Sequence, residues 1–97
     1  MTDVKVSNNA EQSRYEASVD GEVAGTAEYE LEEGRIVFTH TVVDDAYEGQ
    51  GVGSTLARQA LDDVRADGSR RVVPRCQFIR AWIDKHPDYQ DLVHPPR

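Results

Sequence analysis

Three glycines at alternate positions, Gly49, Gly51 and Gly53, run straight into Ser54-Thr55-Leu56-Ala57-Arg58-Gln59-Ala60-Leu61, with no spacer between turn and helix. Gly53, Leu56, Ala57, Ala60, Leu61 and Val64 then recur at the three-and-four spacing of one α-helical face. Asp67-Gly68 supplies a glycine stop, so the pattern predicts a helix from about Gly51 to Asp67, with Ser54 and Thr55 where a cap or first-turn hydroxyl belongs. Such a turn brings main-chain N–H groups close to an anion, and the first helical turn adds partial positive charge. A phosphoanhydride is the ligand this favours, although a flexible glycine loop before a core helix leaves the same trace.

Two nucleotide motifs fail on these residues. A P-loop needs Gly-Lys-Ser/Thr, and no lysine lies near the glycines. A dinucleotide fingerprint needs two residues before its last glycine, and Gly49-Gln50-Gly51-Val52-Gly53 is one residue too tight, in a chain too short for that sheet.

Upstream, the chain reads as strands. Arg14 to Val19 alternates, Asp20-Gly21 is a hairpin signal, and Val23, Gly25, Ala27, Tyr29 and Leu31 mark one face of a second strand. After Glu32-Glu33-Gly34, the run Arg35 to Val43 forms a third, with Ile36, Phe38, His40 and Val42 on one face. Val4 and Val6 suggest a further N-terminal strand. Downstream, Arg70 to Pro74 is a short strand. Gln77 to Lys85 is helical with Phe78, Ile79, Trp82 and Ile83 as its apolar face, Asp88 to Val93 suits a last short helix, and His94 to Arg97 a frayed tail. A strand–helix–strand segment of this length predicts a right-handed crossover with the last strand parallel to the third. The fold class expected is therefore α+β, a mixed, mainly antiparallel sheet with helices packed on it.

Ninety-seven residues make a single domain over 1–97. Formal charge is −7, and Lys5 and Lys85 are the only lysines, which argues against a nucleic-acid surface. The acid excess fits either a salt-rich cytoplasm or an arginine-leaning codon bias, and it opposes an anionic ligand at long range unless salt screens it. Neither a signal peptide nor a membrane span is readable, so a cytoplasmic protein without membrane contact is expected. The single cysteine, Cys76, excludes an internal disulfide and a cysteine-based metal cluster, and no metal is expected.

The segments His40-Thr41-Val42-Val43, Glu48 to Gly53, Val73-Pro74-Arg75-Cys76-Gln77-Phe78 and Lys85-His86-Pro87-Asp88-Tyr89 together resemble the small stand-alone subfamily of the GNAT N-acetyltransferases, over residues 36 to 93. The resemblance implies acetyl-CoA as acyl donor. Its pantetheine arm would pair with the backbone of Thr41, Val42 and Val43, and its pyrophosphate would rest on Gly49, Gln50, Gly51, Val52, Gly53 and Ser54. An amine of unknown identity would be the acceptor, and the chain a monomer or weak homodimer. Glu48 departs from the usual loop and is expected to point outward, since backbone amides do the binding. The tyrosine acid of many relatives is missing: counting from Cys76 reaches Ile83, and Tyr89 lies too far along.

Cys76 takes that place. It sits between a strand end and a helix N-terminus, where a thiolate is favoured, with Arg75 adding positive potential; by residue type alone it is also a buried core thiol. The resemblance implies that Cys76 lies near the thioester and is catalytic. His40 is the second candidate, a base for the amine or for Cys76, or else a core histidine. His86 reads as a helix-end residue contacting the last carbonyls, Trp82 and Tyr89 as core, and Arg58 and Arg80 as phosphate partners. Three functions follow: an acetyltransferase by direct or Cys76-acyl transfer, a non-catalytic acetyl-CoA sensor, or a thiol redox sensor.

Overall fold

The computed structural model describes residues 3–47 and 49–93, so the expectations for Glu48 and for the tail 94–97 lie outside the described residues. Five strands appear in the order β1 (Val4–Asn9), β2 (Arg14–Val19), β3 (Glu22–Glu32), β4 (Arg35–Val43) and β5 (Arg71–Pro74), with helices α1 (Val52–Asp67) and α2 (Gln77–Asp84). Asp20 and Gly21 both take left-handed backbone, φ 51° and 83°, and Val19 pairs with Glu22, which is the two-residue hairpin the Asp-Gly signal predicts. Spatial order equals sequence order. β1 to β4 form an antiparallel meander, and α1 carries the chain to β5, which lies parallel to β4. The α+β architecture is as the sequence predicts.

Both helices bury their apolar faces in one core. Leu56, Ala57, Ala60, Leu61 and Val64 of α1 meet Tyr15, Ala17, Ala27, Tyr29, Ile36 and Phe38 from the sheet and Ile79, Trp82 and Ile83 from α2. Full burial of a side chain such as Phe38 or Leu61 stabilises by about 1.5–3 kcal/mol relative to leaving it in water. No helix of the described chain is long and apolar enough to cross a membrane.

The face expected for β4 is corrected. Tyr29 pairs with Phe38 and the next pair is Glu28 with His40, so Thr39 is an extra residue, a β-bulge. An extra residue reverses the alternation. Ile36 and Phe38 point into the core, but beyond the bulge Thr41 and Val43 turn toward the helices while His40 and Val42 turn away and are exposed. His40 is therefore no core histidine. A second irregularity, where Ala17 pairs with Gly25 and Ser18 with Val23, leaves Ala24 extra and moves Val23 off the face of Ala27 and Tyr29.

One smaller correction and one expectation that holds concern the C-terminal third. Phe78 lies outside the buried stripe of Ile79, Trp82 and Ile83, and is 41% exposed. The segment expected as a last helix is a 3-10 helix, Pro87–Leu92, ending in a parallel bridge from Val93 to Val72. A forked contact from Arg65 to both carboxylate oxygens of Asp91, 3.0 and 3.1 Å, ties it to α1.

Candidate functional site

Gly49 and Gly51 hold φ of 80° and 77°, and nothing lies within 4 Å of a Cβ built on either. Backbone conformation, not crowding, thus requires glycine at both. Gly51 is the N-cap of α1 without any side-chain cap, so Ser54 and Thr55 are first-turn hydroxyls, the second of the two places expected for them, and not caps. Thr55 N–H is the first to close a helical bond, to Gly51 C=O at 3.0 Å, and the N–H groups of Val52, Gly53 and Ser54 belong to the open first turn. Gly53 is glycine for a different reason: a Cβ there would come within 2.8 Å of Phe78 Cζ and 3.4 Å of Val43 Cγ2. The loop, the end of β4 and the start of α2 converge at this residue.

Ser54 Oγ instead accepts a hydrogen bond from Trp82 Nε1 at 3.1 Å, which clips α2 to the first turn of α1. The Trp82 ring stacks on His86 at 3.7 Å and 12°, and His86 Nδ1 lies 2.6 Å from the Trp82 carbonyl oxygen, the contact expected of a helix-end histidine. Tyr89 meets Trp82 edge-on and donates to Asp62 at 2.7 Å. Trp82 and Tyr89 are scaffold, as their residue types suggested.

β5 pairs with β4 only from Arg35↔Arg71 to Phe38↔Pro74. There the chain turns: Cys76 N–H donates to Phe38 C=O at 2.8 Å, and Cys76 becomes the N-cap of α2. From Thr39 to Val43, β4 keeps β3 on one side and, among the described residues, has no strand on the other. Two parallel strands thus part at one level, leaving a main-chain edge beside the glycine loop. Cys76 is 6% exposed, with Sγ 3.0 Å from Thr41 Oγ1.

The residues singled out from sequence separate into two groups. Thr41, Val42 and Val43 line the open edge, Val43 reaches Gly53 at the loop, and Cys76 joins them through Thr41. His40 is not brought to Cys76, because adjacent strand residues face opposite ways and Thr41 takes the cysteine side. Arg58 lies on the β1 side of α1 with Val6, Ser7 and Asp62, and Arg80 is exposed on α2. The sequence reading missed the Thr41 hydroxyl and the Trp82–Ser54 bond. A buried tryptophan N–H always demands an acceptor, which could have flagged the second; nothing in the strand pattern reveals the bulge that aims Thr41.

Comparison with known proteins shows the family. The family model described as GCN5-related N-acetyl-transferase matches residues 14–92. The chain is 37% identical over 67 residues to Protein NATD1 of Gallus gallus, covering 68% of this chain and 60% of the relative. It is 37% identical over 70 residues to Protein NATD1 of Bos taurus, covering 69% and 61%. The chain thus spans about three fifths of the length of these curated relatives. With the family match covering most of its residues, the chain belongs to the GCN5-related N-acetyltransferase family.

Proposed function

We propose that this chain is an acyl-CoA N-acyltransferase that uses acetyl-CoA to acetylate an amine, with Cys76 beside the thioester. The observation that carries the reading is the coincidence of three features at one place: the open edge of β4, the uncapped first turn of α1 behind Gly49 and Gly51, and the Cys76–Thr41 pair. Acetyl-CoA fits this arrangement, since the main chain from Thr41 to Val43 offers the amide pairing a pantetheine arm needs. The open first-turn amides of Val52, Gly53 and Ser54 offer donors to its pyrophosphate, while the Gln50 N–H is engaged by Tyr47 C=O at 3.3 Å.

The chain's residues then have distinct parts. Main-chain N–H groups hold and polarise the donor. His40, exposed on the far side of β4, takes the proton from an amine arriving at that face. Cys76, on the helix side, attacks the thioester carbonyl as a thiolate, releasing coenzyme A as its thiolate, and is itself released when the amine takes the acetyl group, or it packs against the thioester while the amine attacks directly and coenzyme A leaves. The separation of His40 from Cys76 favours giving the two residues separate tasks over a His40–Cys76 proton relay.

Titration calorimetry with acetyl-CoA at low and high salt tests the reading, with micromolar binding expected and a smaller electrostatic penalty at high salt because the body carries −7. Gly51→Val should abolish this binding, since a β-branched residue strains at φ 77°. Cys76→Ala should bind acetyl-CoA and lose acetyl transfer to amines. Absence of wild-type binding at either salt would sink both the enzyme and an acetyl-CoA sensor; binding with no transfer to any amine would leave the sensor.

A further inference from the structure

We propose a second anion site at the opposite end of α1, a cavity of about 740 Å³ in which Arg35, Arg65, Arg70 and Arg71 converge to take a small phosphorylated ligand. The chain has eleven basic residues against eighteen acidic ones, yet four of the eleven line this one cavity, facing the carboxylates of Glu33 and Asp91. α1 has sixteen residues, so at about 1.5 Å per residue roughly 24 Å separates this end from the glycine loop. The cavity is no extension of the loop site.

The four guanidinium groups are unequally committed. Arg65 forks onto Asp91 and also donates to Asp88 C=O at 2.7 Å, and Arg71 donates to Asp91 C=O at 2.9 Å. These bonds fasten the 3-10 helix and fix one wall. Among the described residues, Arg35 and Arg70 reach only Glu32 at 3.5 Å and Asp67 at 3.6 Å, long contacts between exposed groups three residues apart. Such pairs contribute little, so either arginine can turn to an entering anion without giving up a strong bond. Asp67 is moreover already engaged by the Ser69 hydroxyl.

Compensation of the α1 dipole accounts for Arg65, in the last helical turn, and leaves the others unexplained. Arg35 opens β4 and Arg71 opens β5, paired side by side, while Arg70 immediately precedes β5. Planar guanidinium forks from different elements match the several oxygens of a phosphate group, which is the reason for assigning a phosphorylated ligand and not a monocarboxylate.

The probe is inorganic pyrophosphate, titrated into the full chain and followed by amide and arginine Nε–Hε NMR signals. The glycine loop is an independent anion site, so the location of the response decides the matter. Expected are shifts of the Arg35 and Arg70 signals in wild type and equally in Gly51→Val. The affinity read from those signals should fall about tenfold or more in Arg35→Gln/Arg70→Gln. Each single variant, which removes one exposed pair, carries the same test should the double variant fold poorly. A response confined to residues 49–54, or an unchanged affinity in the arginine variants, overturns the proposal.

Discussion

The two halves of β4 obey different rules. From Ile36 to Phe38 the strand is paired on both sides, to β3 and to β5, and its side chains are buried. From Thr39 to Val43 it is paired on one side only, and every side chain is partly or fully exposed. Between them stands one extra residue. The lower half therefore stabilises the fold, and the upper half, with its unpaired edge and reversed faces, is where main chain and side chains are available for chemistry. Edge strands usually carry a risk of unwanted pairing. Here the open length is short and lies beside the glycine loop.

The largest effect should come from emptying the lower half. Phe38→Ala removes a fully buried ring that meets Tyr15 and Tyr29 at 6.1 and 6.2 Å between centroids. The expected loss is about 3–5 kcal/mol by urea denaturation, a large part of the roughly 5–15 kcal/mol available to a domain. Val42→Ala, in the upper half at 59% exposure, should stay within about 0.5 kcal/mol. Equal costs at the two positions would mean that the halves do not differ in kind.

A titration perturbs the core packed against the lower half more gently, through Tyr15 of β2, whose ring meets Phe38. Burial, together with a 2.6 Å hydrogen bond to Asp63, pushes the Tyr15 hydroxyl well above the usual tyrosine range. With the folded value raised, this contribution is fully present below the unfolded pKa of about 10 and is lost as the pH rises beyond it, because only the unfolded chain then releases the proton readily. Urea midpoints measured from about pH 8 to about pH 11 should fall toward the alkaline end. The alkaline fall should be shallower in Tyr15→Phe, and an identical slope in that variant would remove Tyr15 as its source.

The framework around the lower half was readable from residue order, because hairpin chemistry at Asp20-Gly21 and helical spacing from Gly53 to Val64 are local signals that tertiary packing did not override. The glycine loop was readable as well: Gly49 and Gly51 adopt the backbone only glycine tolerates easily. The upper half was not. Alternation along Arg35 to Val43 runs unbroken in the sequence, and the bulge at Thr39 exists only in the pairing with β3, so His40 and Thr41 were assigned to the wrong sides. Phe78 shows the same limit. Its spacing suits the core stripe of α2, and only the close approach to Gly53 shows that it leans over the loop.

The upper half should respond in chemistry more than in stability. In Thr41→Val the shape is kept and the hydroxyl beside Cys76 is lost, at a stability cost of about 1 kcal/mol. A hydroxyl can donate to a thiolate, so its removal should slow Cys76 alkylation by iodoacetamide at a fixed pH, and Thr41→Ser should restore the rate. An unchanged rate would make Thr41 a packing residue only. The smallest structural effect is expected at His40, which is exposed on the opposite face. His40→Gln should leave the urea midpoint within about 0.5 kcal/mol of wild type and should slow acetyl transfer to amines by about tenfold or more. If transfer survives undiminished in His40→Gln and disappears in Cys76→Ala, the proton leaves through the helix side of β4, and the outer face has no part in the reaction.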